Sequence, residues 1–221
     1  LTGEEMAFLG KITAGMTHEM KNILAVIRES TGLMEDILSI TKERSFQHKD
    51  KFLKVLSTIQ EQVQKGVDLA TRLNRFAHSM DKPKSSLDIN ALLDQMAFLM
   101  QRFARLKRVN LKVLPGKPIS IIKDPLRLQL VIFKCIESCL KESEEGMEIQ
   151  MSAEKIEEGA IVRILSQREK NKEEERRSNG EDRKIEENSG IFEELKITLH
   201  KIDGTEGRGY LLTIISDEPM V

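Results

Sequence analysis

The chain has no tryptophan, one tyrosine and only 4% aromatic residues. A platform for stacking single-stranded nucleic acid needs several exposed rings, so this composition argues against that class. An excess of one charge is also missing. Lysine and arginine number 35 against 36 aspartates and glutamates, a formal net charge of −1. No global field therefore favours nucleic acid or an acidic membrane surface. No apolar run approaches the ~20 residues that a membrane-spanning helix needs. No secretory signal is visible either, and the chain reads as cytoplasmic. It begins at Leu1, which leaves room for an upstream sensor or membrane segment. Cys135 and Cys139 are the two cysteines. Their i,i+4 spacing among Val131, Ile132, Phe133 and Ile136 predicts reduced, buried packing residues. Two cysteines with no histidine nearby do not make a zinc site.

Proline is absent from residues 3–41, and apolar residues recur there at steps of three and four. Leu9, Ile12, Met16, Met20, Ile23, Ile27, Met34 and Ile37 form a near-heptad stripe, the pattern of a bundle helix. The polar stretch 41–50 interrupts it. A second stripe follows at Phe52, Leu56, Ile59, Val63, Val67, Ala70, Leu73 and Ala77, and ends at Pro83. Two long helices and a short loop predict an antiparallel hairpin. A lone hairpin buries two stripes poorly, so a homodimeric four-helix bundle is expected; a coiled-coil spacer is the alternative. The expected domains are the hairpin at 1–82, a linker at 83–86 and a second domain at 87–221.

His18 lies two residues from both Met16 and Met20, so it is about 160–200° from the seam and faces solvent. An exposed histidine is usually incidental, but this one has company. Glu19 follows it, Asn22 shares its face one turn on, and the small residues Ala14, Gly15 and Ala25 leave room for a docked partner. Gly15 inside a helix costs up to about 1 kcal/mol against alanine. A neutral imidazole offers one nitrogen as donor and the other as nucleophile. A carboxylate accepting the N–H raises the basicity of the other nitrogen, a role open to Glu19. Asn22 is placed to orient a phosphoryl oxygen or a water. Lys21 is either a positive charge for phosphate or a solvated lysine.

The run Thr17-His-Glu-Met-Lys-Asn-Ile-Leu24 resembles the H-box of two-component histidine kinases. There, a histidine followed by Glu and, four residues on, Asn carries a phosphoryl group. The usual Pro after the Asn is Ile23 here, which removes a bend but no catalytic group.

After Pro83 the pattern changes. Short strands are predicted at 87–90, 109–113 and 119–122, and a helix over 92–103. Asp124 caps a helix with Pro125 in its first turn. A strand pair is predicted at 147–156 and 160–165, a helix over 191–202, and a closing strand at 210–215. The fold class is thus α+β, with the hairpin followed by helices over a mixed sheet, an α/β sandwich. This order resembles the ATPase domain of histidine kinases, best at residues 124–140. Aligned on Arg127-Leu128, the resemblance puts Lys134 and Ser138 where kinases carry asparagines, the second of which holds magnesium against ATP. A lysine repels the ion and a serine is a poorer ligand. The Asp-x-Gly-x-Gly element expected after Ile161–Leu165 is replaced by Ser166-Gln-Arg-Glu. The charged stretch 167–188 cannot build a core and reads as a solvated loop. Gly204, Gly207 and Gly209 fit a hairpin rather than a glycine-rich phosphate loop.

The resemblance therefore implies a kinase-like histidine phosphotransferase. His18, Glu19 and Asn22 are its chemical residues, and Ala14, Gly15, Lys21 and Ala25 its docking surface for response-regulator receiver domains. No cofactor is expected on the chain. ATP would not bind, and magnesium would come with the receiver. The alternatives are a divergent sensor kinase or phosphatase, and a non-catalytic dimeric adaptor.

Overall fold

A computed structural model describes residues 2–40, 49–78, 84–168, 185–186, 190–204 and 207–217. The chain divides into two compact units, Thr13–His78 and Leu1–Ile12 with Ser79–Val221. Two boundaries differ from those read in the sequence. Residues 1–12, assigned there to the hairpin, group with the second unit. Ser85 and Ser86, assigned to the linker, already belong to a strand.

The first unit is built from residues 13–40 of α1 (Gly3–Ile40) and from α2 (Lys49–His78). Met16 and Ile37 of α1 and Val55, Leu69 and Phe76 of α2 are buried. A methyl built on Gly66 would sit 3.7 Å from Ile23 Cγ2, so the two helices are at packing distance there. The stripe expected on α2 is not what a single chain buries. Leu56, Val63, Val67, Ala70 and Ala77 are exposed, because two helices can cover only one narrow seam between them. Leu24, Leu33, Leu38 and Leu53 are each at least half exposed on the same unit.

The second unit contains β1 (Ser85–Asp88), α3 (Ile89–Lys107), β2 (Asn110–Val113), β3 (Ser120–Lys123), α4 (Pro125–Glu142), β4 (Met147–Ile156), β5 (Gly159–Arg168), β6 (Ile185–Glu186), α5 (Gly190–Glu194), β7 (Ile197–Gly204) and β8 (Gly207–Ile215). Six strands form one sheet in the order β2-β4-β5-β8-β7-β6. β2 pairs with β4 in parallel, and the other pairs are antiparallel. β1 and β3 make a separate antiparallel ribbon. Along β5, Ala160, Val162, Ile164 and Ser166 alternate inward, the period-two burial of a sheet covered on one face. α4 packs on β5 and β8, and α3 on β2 and β4.

Local chemistry sets the helix ends. Asp88 caps α3, its carboxylate accepting from Asn90 N at 3.0 Å and from Ile119 N at 3.2 Å. Arg108 ends α3 in the left-handed conformation, φ 53°. Asp124 caps α4, accepting from Arg127 N at 3.1 Å, with Pro125 in the first turn. These expectations at Asp124 and Pro125 match. The helix expected over 191–202 does not. Helix α5 stops at Glu194, Lys196 turns left-handed at φ 50°, and Ile197 and Leu199 bury alternately with exposed Thr198 as strand β7. Of the charged stretch 167–188, Gln167 and Arg168 finish β5 and residues 185–186 form β6; 169–184 and 187–188 lie outside the described residues.

The ribbon is held by residues far along the chain. Lys123 is fully buried, and its Nζ donates to Asp217 Oδ1 at 2.7 Å. Lys84 Nζ lies 3.0 Å from the other oxygen of Asp217. Ile122 N donates to Ser216 Oγ, and Asp217 N to Ile122 O, each at 3.0 Å. Burial raises the Asp217 carboxyl, but the hydrogen bonds from Lys123 and Lys84 outweigh it and hold the group below its ordinary range.

Candidate functional site

His18 is exposed on α1, as the two-residue offset from Met16 and Met20 requires. The side chain placed against its ring is Asn22, whose amide nitrogen lies 3.2 Å from Nδ1. The amide's two ends are interchangeable in such a contact, and the ring's tautomer decides the donor. As placed, the amide nitrogen donates to Nδ1; with the amide turned end for end, its oxygen accepts from Nδ1–H and Nε2 keeps its lone pair. Glu19 is half-buried beside the histidine, and Lys21 is exposed. The residues expected to leave docking room divide. Ala14 is exposed and Ala25 half-buried, but Gly15 is buried and adds nothing to the open surface.

The positions on α4 that resemble the kinase ATP site are occupied by the chain's own groups. Lys134 Nζ donates to Glu4 Oε2 at 2.8 Å. Ser138 Oγ and Tyr210 OH are 2.7 Å apart. Arg127 Nε lies 3.3 Å from Glu5 Oε1, and its guanidinium also bonds Glu194. Glu137 accepts from Lys11 and, at 3.1 Å, from Lys141. Burial pushes the Glu137 carboxyl up, but those two lysines hold it below its ordinary value. Phe8 stacks at a tilt on Phe133, ring centres 4.9 Å apart. Lys11 Nζ stands 5.5 Å and 5.6 Å from the rings of Phe103 and Phe133, within cation–π range.

Sequence reasoning missed these partners on α1. One signal was available. Thr2 and Glu5 have the spacing of a capping box, and the box forms: Glu5 N donates to Thr2 Oγ1 at 3.2 Å and Thr2 N to Glu5 Oε2 at 2.8 Å.

A cavity of about 370 Å³ opens where β5 ends, lined in part by Cys139, Glu142, Ser166, Arg168 and Arg208. Ser166, which stands where the resemblance expects the aspartate, is buried and hydrogen-bonded to Ser143 at 2.6 Å. Arg168 and Arg208 are held by Glu144 at 2.9 Å and Asp203 at 2.8 Å. Both cysteines are buried thiols outside any disulfide, and burial pushes the Cys139 thiol up to about 12.

No known protein family's sequence profile matches the chain, and no curated protein matches it. Solved structures do. The catalytic domain of histidine kinase ThkA has a TM-score of 0.47 at 11% identity, over 61% of this chain and 97% of that one. The fold is similar to that of histidine kinase domains. Acinetobacter baumannii histidine kinase AdeS scores 0.44 at 13% identity, over 90% and 97% of the two chains. ThkA in complex with response regulator protein TrrA scores 0.44 at 11% identity, over 97% of this chain and 64% of that one. At these scores and identities the similarities decide nothing about chemistry. No described helix is long and apolar enough to cross a membrane.

Proposed function

We propose that the chain is a histidine phosphotransfer protein of two-component signalling, working on His18 without its own ATP-dependent kinase activity. The observation that carries this reading is the exposed His18 ring with Asn22 against Nδ1, inside an H-box-like sequence. Nε2 attacks the phosphorus of a phosphoaspartate on a receiver domain. The P–O bond to the aspartate breaks, and its electron pair leaves with the carboxylate. With the Asn22 amide turned so that Oδ1 faces the ring, Nδ1 keeps its proton and hydrogen-bonds it to that oxygen, which stabilises the cationic ring of phosphohistidine. The reverse step loads a second receiver. Glu19 and Lys21, neighbours of His18 on α1, would add their charges to the field at the incoming phosphoryl group. Positioning and electrostatics supply most of the rate in such transfers. The receiver would bring magnesium; on α4, Lys134 and Ser138 are engaged with Glu4 and Tyr210.

In this reading the chain is a homodimer. Leu24, Leu33, Leu38, Leu53, Leu56, Val63 and Val67 are 37–57% exposed on the hairpin. A second hairpin would cover such a surface in a four-helix bundle.

The test is phosphorylation of purified wild-type protein and His18→Gln. One reaction contains ATP and magnesium, and another a pre-phosphorylated receiver. Acid-labile label from the receiver alone, lost in the variant, is the expected result, on a species that sediments as a dimer. Label from ATP alone would make the chain a divergent kinase. No label from several receivers would favour the adaptor.

A further inference from the structure

Arg127, Lys134 and Lys141 lie seven residues apart along α4, so they share one stripe. Each faces a carboxylate: Glu5, Glu4 and Glu137 respectively. Two of those carboxylates come from the first turn of α1. The same segment adds Phe8 against Phe133 and Lys11 on Glu137. We propose that residues 2–12 form an intramolecular latch on the basic stripe of α4, a strap that closes and opens as a preformed helical piece.

Two features suit this segment to leaving without unfolding. The Thr2–Glu5 capping box is internal to it, so its first turn stays closed when released. Glu4 and Glu5 also keep a favourable place at their own helix N-terminus after losing Lys134 and Arg127. The Glu4–Lys134 pair is partly solvated, 64% and 37% exposed, so salt weakens it, whereas Glu5 is 6% exposed against Arg127. The apolar contact is short, centred on Phe8 and Ile12, which are 2% and 0% exposed. The helix of the α/β unit that resembles a nucleotide-binding helix thus takes a helix of its own chain as its ligand. This inference does not depend on chemistry at His18.

Hydrogen exchange followed by mass spectrometry tests it on the full chain. Lys134→Glu places two carboxylates face to face. Peptides covering 3–12 are expected to exchange about three- to fivefold faster, the change that ion pairs of this class supply. Strands β4, β5 and β8 should keep their protection. The charge swap Glu4→Lys with Lys134→Glu should return 3–12 to within about twofold of wild type. About 1 M salt should mimic the single variant in wild-type protein. The latch is overturned by unchanged exchange at 3–12 in Lys134→Glu, or by a swap that restores nothing. Equal acceleration in the strands would also overturn it, since 2–12 would then be core. Should the single variant fail to fold, the salt titration of wild type and of the swap decides by the same criteria.

Discussion

At the scale of the residue, the chemistry proposed for His18 rests most on its contact with Asn22. A neutral imidazole must present one lone pair outward and hold its proton on the other nitrogen. Asn22 lies at Nδ1 and leaves Nε2 open. Its replacement by alanine removes one hydrogen bond to the ring, worth about 1 kcal/mol. Asn22→Ala should therefore slow transfer from a phosphorylated receiver about five- to tenfold while still accepting label, as single-turnover kinetics would read. Complete loss, as in His18→Gln, would mean that Asn22 takes part in bond-making. No change would mean that it only touches a ring that needs no help. That the two share a face was legible in the sequence because four residues make about one helical turn; that Asn22 would lie at the ring nitrogen, the place read for Glu19, was not. Neither was the burial of Gly15, since it depends on what packs over that turn.

At the scale of the element, the sequence was most readable where local chemistry decides. α1, α2 and α4 follow from proline placement, apolar spacing and the Asp124-Pro125 cap. It was least readable at 191–202, where Ile191, Phe192, Leu195, Leu199 and Ile202 fit a helical period as well as Ile197 and Leu199 fit a strand. The left-handed Lys196 and the open edge of β8 settle that conflict, and neither is visible locally. The link from Glu4 to Lys134 spans 130 residues and carries no sequence signature beyond charge. The sheet also contains a position that tolerates no side chain. A Cβ on Gly159 would lie 1.9 Å from the carbonyl oxygen of Ile214 on the neighbouring strand. That is backbone against backbone, with no rotamer to yield. Gly159→Ala should cost about 1–3 kcal/mol or more, typical of overpacking, as a lower urea midpoint with an unchanged slope.

At the scale of the whole molecule, the α/β unit is tied shut by a buried charge. Lys123 is wholly enclosed, with Asp217 as its bonded counter-ion. Asp217→Asn would leave that ammonium without its negative partner and should cost on the order of 3 kcal/mol in urea denaturation. The pH dependence has a definite sign. The Asp217 carboxyl is depressed on folding. Its contribution is therefore fully present above the unfolded carboxylate value of about 4. It is lost as pH falls through the lower folded value. The wild type should lose stability over that acid window, and Asp217→Asn should lose less. An equal acid loss in both proteins would mean that other carboxylates control it.

The same clasp bears on how the chain is made. Lys123 and Asp217 are 94 positions apart, so the β1–β3 ribbon and its lysine emerge from the ribosome long before their counter-charge. Until residue 217 is free of the exit tunnel, an ammonium destined for a dry interior has only water to face. α1 and α2 hold mostly local contacts and can form during synthesis, whereas the α/β unit must wait for its last turn of chain. Nascent chains arrested before residue 217 should therefore carry a folded hairpin ahead of an unfinished sheet, open to proteases that spare the finished protein.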